Sequence, residues 1–163
     1  MFSFKSLSLF AVGATFIAAV YAETHTVVFD NRCGFGTPTL IQGPNVLSTG
    51  QSFTINGPLI SAIAYLQTGS CGFNGEGCTL IETTLKNPTC AGCGSSTDIS
   101  LIPPHAFSVT SGFGYFNGCD GAGADCTDPS SRATCPAFFS PDDTFEQVPC
   151  QVNDVNLAIT FCD

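Results

Sequence analysis

The sequence predicts an all-β protein, either a sandwich of two sheets or a barrel, and the order of the elements favours the sandwich. Short runs in which apolar and polar residues alternate recur along the chain, and Gly, Pro and Asn separate them. The chain is rich in Gly, Ser, Thr and Phe, a composition that suits strands and turns, and no amphipathic helical pattern stands out. Its 10 cysteines indicate an exported domain stapled by as many as five disulfides.

Residues 1–22 have the pattern of a secretory signal peptide. Lys5 supplies a positive charge, residues 6–20 form a largely apolar run, and the small residue Ala22 closes a cleavage site. The run is too short and wrongly flanked for a membrane span. We therefore expect cleavage after Ala22, one mature domain over residues 23–163, and secretion to the cell exterior or the cell wall.

The charge of the chain argues against two classes of partner. The chain has 13 acidic and 4 basic side chains, a formal net charge of −9, and the strong bases beyond the signal peptide are Arg32, Lys86 and Arg132. Nucleic-acid binding needs Lys and Arg to neutralise phosphates. An anionic membrane surface repels an acidic chain. We expect neither partner, and a monomer is the default expectation.

The predicted strands are a series of alternating runs bounded by turn residues. They cover residues 24–29, 52–55, 61–66, 79–85, 98–101, 105–109 and 155–161. The last run is the clearest, because its large apolar residues share one face while Asn156, Ala158 and Thr160 share the other. Residues 33–38 are predicted to be a turn-rich connection. Residues 71–78 form a tight loop that a disulfide could close.

Two of the predicted strands carry carboxylates on the face opposite their apolar residues. In residues 79–85 the alternate apolar positions share one face, so Glu82 points the other way. In residues 98–101 the two apolar residues likewise point away from Asp98. If the two runs pair in one sheet, Glu82 and Asp98 project from the same surface, away from the core. That surface is the first candidate site.

Neither the cysteine spacing nor the acidic residues predict a metal site. Cys90 and Cys93 form a C-x-x-C, but no second such pair accompanies it and the chain has only 2 His. A small surface disulfide is the simpler interpretation. The acidic run from Asp120 to Asp125 lacks the spacing of an EF-hand calcium loop. We therefore expect solvated acidic loops over residues 119–150, and no metal or cofactor.

Several segments together resemble the thaumatin-like proteins, a secreted family of plant-defence and fungal proteins. Residues 48–56 resemble the family's RGQTW-x-IN segment, residues 67–74 resemble its RTGCNF, and residues 98–101 match its DISL. Further matching segments are residues 27–33, 79–87, 135–143 and 159–162. The resemblance covers nearly the whole mature chain. It implies a disulfide-stapled β-sandwich of the family's small type, with a shortened cysteine-rich loop region.

The resemblance also implies a disulfide pairing. The implied pairs are Cys33 with Cys162, Cys71 with Cys78, Cys119 with Cys150, and Cys126 with Cys135. Cys90 and Cys93 remain and would have to bridge each other. The bond between Cys33 and Cys162 closes almost the whole mature chain, and in the chain-entropy model it contributes on the order of 4–5 kcal/mol.

Larger members of the family have a cleft lined by one Arg, one Glu and three Asp, associated with β-1,3-glucan binding and in some with weak hydrolysis. Glu82 and Asp98 fall on two of these positions, whereas Thr49, Pro103 and Ala137 replace the other three. The shortened loop region is expected to remove one wall of the cleft. Because a half-open cleft is a poor place to raise a carboxyl pKa, binding is expected rather than hydrolysis.

Three functions remain open. The first is binding of a cell-wall polysaccharide such as β-1,3-glucan, or a role in extracellular defence; here Phe113 and Tyr115, set among glycines, could stack on sugars. Alternation favours the opposite placement, with both rings facing the core. The second function is weak β-1,3-glucan hydrolysis with Glu82 and Asp98 as acid and base. The third is a structural or interaction protein without a carbohydrate site.

Overall fold

The computed structural model describes residues 22–163, which form eleven strands. The predicted signal peptide, apart from Ala22, lies outside the described residues. No helix in residues 22–163 has the length and apolar character that a membrane crossing requires. The strands are β1 Thr24–Asn31, β2 Thr37–Gln42, β3 Asn45–Ser48, β4 Phe53–Asn56, β5 Leu59–Gln67, β6 Leu80–Leu85, β7 Ser95–Ser100, β8 Ser111–Phe116, β9 Gly123–Cys126, β10 Val148–Cys150 and β11 Asn156–Phe161.

The strands form two sheets. One sheet has five strands in the order β4-β1-β11-β8-β9, and the other has six in the order β10-β7-β6-β5-β2-β3. β1 lies parallel to β11, with Val27 opposite Leu157, and the other strand pairings are antiparallel. The all-β class and the two-sheet arrangement predicted from the sequence are confirmed.

One apolar core lies between the sheets. On β11 the residues Leu157, Ile159 and Phe161 are fully buried, as strict alternation predicts. Ile81 of β6 and Ile99 of β7 belong to the same cluster from the six-stranded sheet. Because alternate residues of β6 and β7 are used for this core, the residues between them are directed to the opposite face of the sheet.

The outer face of the six-stranded sheet carries a second, smaller apolar cluster. It consists of Ile41, Tyr65, Cys78 and Leu80, with Ile63 and Cys71 packed against it. The loop over residues 71–78 covers this cluster and is closed by a disulfide, as predicted. The Tyr65 hydroxyl donates a hydrogen bond of 2.8 Å to the carbonyl of Phe73 in that loop. The outer face is therefore only partly available to solvent.

The four disulfides that the resemblance implies are formed, and so is the bond between the two remaining cysteines, Cys90 and Cys93. They join Cys33 with Cys162, Cys71 with Cys78, Cys90 with Cys93, Cys119 with Cys150, and Cys126 with Cys135. The first links the ends of the adjacent strands β1 and β11. The bond between Cys119 and Cys150 ties the end of β8 to β10, so it connects the two sheets.

The prediction of a strand at residues 105–109 is wrong, since these residues form a loop. The N–H of His105 bonds to the carbonyl of Ile102, and the N–H of Ala106 bonds to the carbonyl of Cys78. The Ser108 hydroxyl accepts a hydrogen bond from the N–H of Thr79. With these groups engaged locally and with the start of the β6 region, no neighbouring strand forms a ladder here.

The sequence pattern does not reveal β2, β3, β9 and β10. β2 begins in the segment predicted to be turn-rich, and its alternation is interrupted by Pro38. β3, β9 and β10 span only 4, 4 and 3 residues. Periodicity is not readable over so few positions, and tertiary pairing decides their conformation instead.

Candidate functional site

Glu82 and Asp98 lie directly opposite each other on adjacent antiparallel strands. The register of β6 and β7 pairs Glu82 with Asp98, and the register of β5 and β6 pairs Ile63 with Glu82. Directly opposed residues have Cβ atoms about 4.5–5.5 Å apart. The expectation that the two carboxylates project from one non-core surface is therefore confirmed.

A cavity of about 360 Å³ lies over this pair. Its floor is the outer face of β5, β6 and β7, including Ile63, Glu82 and Asp98. Its wall comes from the segment between Cys126 and β10, which contributes Phe138, Asp143 and Gln147. Ser61, Thr84, Ser96 and Ile102 complete a lining that mixes carboxylates, hydroxyls, one amide and apolar surface.

Asp98 is the most unusual group in the cavity. The residue is only 6% exposed, and its Oδ1 has no hydrogen-bond partner. Burial, with the facing Glu82 carboxylate adding to it, raises the pKa of Asp98 to about 7, and the Gln147 side chain partly offsets the rise. Because Asp98 holds its proton to near neutral pH, it can donate a hydrogen bond where Glu82 accepts one.

The raised pKa of Asp98 differs from the expectation that a half-open cleft would not raise a carboxyl pKa. We expected the shortened cysteine-rich region to remove one wall, but residues 126–147 line one side of the cavity with Phe138, Asp143 and Gln147. The isolated bridge between Ser100 and Phe138, with two backbone hydrogen bonds next to it, attaches the segment to the end of β7. Residues 126–147, here called the covering segment, therefore border the candidate site on one side.

Arg132 holds the covering segment in shape. Its Nη1 donates to the carbonyl of Ala137 at 3.1 Å and to Glu146 Oε1 at 2.8 Å. Its Nη2 donates to Asp143 Oδ2 at 2.7 Å, and its guanidinium lies 5.1 Å from the centre of the Phe139 ring. One side chain therefore connects four points of the segment.

Asp143 is the third carboxylate of the cavity, and the sequence pattern did not single it out. It lies in the region predicted to consist of solvated acidic loops, a prediction that is wrong for this residue. Its Oδ2 accepts the N–H groups of Phe139 and Ser140 at 2.8 and 3.0 Å. The Arg132 guanidinium is the main cause that lowers the pKa of Asp143. The signal available in the sequence was Arg132 itself, a lone base within the most acidic stretch.

The three positions at which the family's cleft residues are replaced do not line this cavity. Thr49 and Pro103 are exposed elsewhere, and Ala137 is fully buried. Glu82 and Asp98 are brought together as expected, and Asp143 joins them from a different position in the segment.

Phe113 and Tyr115 are not available for sugar stacking, which corrects that hypothesis. Each is only 4% exposed, because alternation along β8 directs both rings into the core. Their rings meet edge to face at 6.2 Å. The Tyr115 hydroxyl lies 2.9 Å from both Thr97 Oγ1 and the carbonyl of Val148, so it connects β8 to β7 and β10 from beneath the cavity floor.

The two histidines lie outside the cavity. His105 has its Nδ1 3.1 Å from the carbonyl of Gly75. His25 is buried between the carbonyl of Val155 and Glu23 Oε1. Residues 22–163 contain no group of three or more His, Cys, Asp or Glu side chains arranged to hold a metal ion.

Comparison with known proteins returns one solved structure to describe. The chain is similar to a thaumatin-like xylanase inhibitor, with a TM-score of 0.47 and 19% sequence identity over 85% of this chain and 99% of that one. No family model matches the sequence, and no curated protein matches it.

Proposed function

We propose that the cavity over β5, β6 and β7 binds an uncharged cell-wall polysaccharide, with β-1,3-glucan as the ligand that the family resemblance implies. The observation that carries the proposal is the facing pair of carboxyl groups at the cavity floor. Asp98 retains its proton to near neutral pH and Glu82 faces it, so the pair offers a donor beside acceptors. Sugar hydroxyls, which both donate and accept, match such a pair.

Unsatisfied polar atoms in the floor support a hydroxyl-bearing ligand. Ser96 Oγ and Asp98 Oδ1 are the buried side-chain atoms of the described residues that lack a hydrogen-bond partner. Leaving such an atom unpaired costs about 1–3 kcal/mol. A ligand hydroxyl that reaches either atom recovers part of that free energy. Three carboxyl groups in the lining disfavour an anionic ligand, which favours a neutral saccharide over uronic acids or phosphosugars.

A binding experiment tests the proposal. Wild type and the variants Glu82→Gln and Asp98→Asn are pulled down on insoluble β-1,3-glucan and titrated calorimetrically with soluble laminarin. We expect wild type to bind and Glu82→Gln to weaken binding by about tenfold or more, since a hydrogen bond to a charged group is lost. Asp30→Asn, on the other sheet, is the matched control and keeps wild-type affinity.

The expression host matters for one of these variants. Asp98→Asn places an Asn before Ile99 and Ser100 and so creates an N-glycosylation site. The variants are therefore made in an oxidising host that lacks N-glycosylation. If wild type is not retained on β-1,3-glucan and shows no heat with laminarin, the proposal is wrong. That result would favour a structural or interaction protein without a carbohydrate site.

Weak glucan hydrolysis is the second candidate, and the unequal carboxyl groups favour it. A glycosidase needs one carboxyl protonated and another ionised near the scissile bond. The pKa of Asp98, raised to about 7, suits the acid, and Glu82 stands opposite as the nucleophile or base. Reducing ends released from laminarin by wild type, and abolished in the double variant Glu82→Gln with Asp98→Asn, are the expected result. Unchanged release in the double variant would exclude this pair.

A further inference from the structure

Phe145 is the most exposed large apolar side chain of the described residues. It is 92% exposed, whereas Phe35 and Phe73, the other exposed phenylalanines, are 55% and 51% exposed. Burial of an aromatic ring is strongly favourable, so a ring left wholly in water forgoes that gain. Phe145 belongs to the covering segment, next to the cavity already described.

The chain on both sides of Phe145 is anchored. Asp143 precedes it by two residues and Glu146 follows it directly, and both carboxylates accept hydrogen bonds from Arg132, at 2.7 and 2.8 Å. Asp143 is further held by the N–H groups of Phe139 and Ser140. The ring is thus displayed by a segment whose shape is fixed nearby, and a preorganised contact loses less entropy on binding.

The ring also borders a second hollow that adjoins the first. This hollow has a volume of about 290 Å³ and is lined by Phe145 together with Arg132, Thr144 and the three acidic residues around them. Asp143 lines both hollows, and Gln147, two residues beyond Phe145, lines the first. A linear ligand that leaves the main cavity past Asp143 therefore meets the Phe145 ring.

The geometry points to Phe145 as a stacking platform for a sugar unit of the same glucan chain, outside the main cavity. This inference rests on the proposed function. One face of a sugar ring presents C–H bonds with partial positive charge, which the negative face of an aromatic ring attracts. The neighbouring Asp142, Asp143 and Glu146 can accept the hydroxyl groups at the edge of that sugar.

The size of the apolar surface favours a sugar over a protein partner. A stable protein interface covers about 800 Å² on each partner, whereas a whole Phe side chain offers only about 150–250 Å². The other exposed large apolar residues, Phe35, Val46, Ile60, Phe73 and Val152, line neither hollow. A single ring with polar groups around it matches one sugar unit.

The absence of Trp from the chain provides a direct test. Phe145→Trp introduces a single tryptophan whose emission reports contact with a ligand, and Phe73→Trp is the matched control at an exposed phenylalanine that lines neither hollow. Both proteins are titrated with a β-1,3-linked hexasaccharide. We expect the emission of Phe145→Trp to change with the same midpoint as calorimetric binding, and that of Phe73→Trp to stay constant.

Truncation completes the test, and Phe145 is exposed enough for the fold to tolerate it. Phe145→Ala should weaken hexasaccharide binding by about tenfold, and Phe145→Tyr should restore it. One outcome would disprove the platform while leaving the main site in place. In that outcome wild type binds and Glu82→Gln weakens binding, but Phe145→Ala binds like wild type and the Phe145→Trp emission does not change. If wild type itself does not bind, the proposed function fails and the platform with it.

Discussion

The outer faces of the two sheets carry similar pairs of carboxyl groups in different surroundings. On the six-stranded sheet, Asp98 faces Glu82 beneath the segment that Arg132 holds. On the five-stranded sheet, Asp125 approaches Asp163 closely enough for the two carboxyl groups to share a hydrogen bond. Asp125 is exposed, whereas Asp98 is 6% exposed.

The two surroundings differ in two ways: Asp98 lies on the interior strand β7 beside the covering segment, whereas Asp125 lies on the edge strand β9. Loss of solvation is the first cause that raises the pKa of both Asp98 and Asp125, although it is only partial for the exposed Asp125, and a neighbouring carboxylate is the second. Only for Asp98 is the rise large enough to reach about 7. A neighbouring carboxylate alone therefore does not raise a carboxyl pKa to about 7, and the deeper burial of Asp98 distinguishes the candidate site.

The largest expected effect is on the pH dependence of stability. The pKa of Asp98 is higher in the folded than in the unfolded state, so between about pH 4 and pH 7 the folded protein holds an extra proton, and its stability falls as pH rises through that window. The contribution amounts to roughly 2–3 kcal/mol between pH 5 and pH 8. Asp98→Asn should remove it, so the variant matches wild type at pH 5 and exceeds it at pH 8.

Thermal or denaturant unfolding at both pH values, with the disulfides intact, measures this difference. The variant is prepared without N-glycosylation. Equal pH slopes for wild type and Asp98→Asn would show that Asp98 is ionised and solvated in the folded protein, and the contrast with Asp125 would disappear.

The second effect concerns the support beneath the cavity. Tyr115→Phe removes the hydroxyl that contacts Thr97 and the carbonyl of Val148, a buried interaction. The expected loss is about 1–2 kcal/mol of unfolding free energy, because the Val148 carbonyl then loses a donor. Glucan affinity should not change, since the hydroxyl points into the core and not into the cavity. If Tyr115→Phe binds glucan more weakly but is as stable as wild type, Tyr115 contacts the ligand after all.

The third effect distinguishes the contacts of Arg132 within the covering segment from an ordinary surface ion pair. Arg132→Met removes the links to Ala137, Asp143 and Glu146 and should loosen the wall, with only a small loss of stability because the Arg132 side chain is half exposed. The loss of free energy of glucan binding should be larger than the loss of free energy of unfolding. Arg32→Met is the matched control, because the Arg32–Asp30 pair lies exposed on the five-stranded sheet. Equal, small effects of both substitutions on binding would mean that the segment keeps its shape without Arg132.

Local alternation was enough to predict the floor of the site but not its wall. Glu82 and Asp98 were predicted to share a surface because a strand's side-chain period is two residues, and the same rule placed Leu157, Ile159 and Phe161 in the core. The disulfide pairs followed from the family resemblance. The wall could not be predicted, because the position of Asp143 depends on contacts of Arg132 and on the bridge between Ser100 and Phe138, which no periodicity encodes. Phe145 was missed for the same reason, since exposure of a loop residue is decided by the packing around it.

The smallest effect is expected for Asp125 on the outer face of the five-stranded sheet. It is the counterpart of the effect of Asp98 on the pH dependence of stability. Asp125→Asn should change stability by no more than about 0.5 kcal/mol, since the side chain is exposed. The variant is made in the same host, because it too creates an N-glycosylation site, with Cys126 and Thr127 following the new Asn. Its pKa is raised, so removing the carboxyl should reduce the fall in stability with rising pH, in the same direction as Asp98→Asn but by less. Unfolding at pH 5 and pH 8 measures both slopes side by side. A pH slope at Asp125 as steep as at Asp98 would show that a neighbouring carboxylate suffices to raise a pKa on either sheet, and that deeper burial is not what sets the candidate site apart.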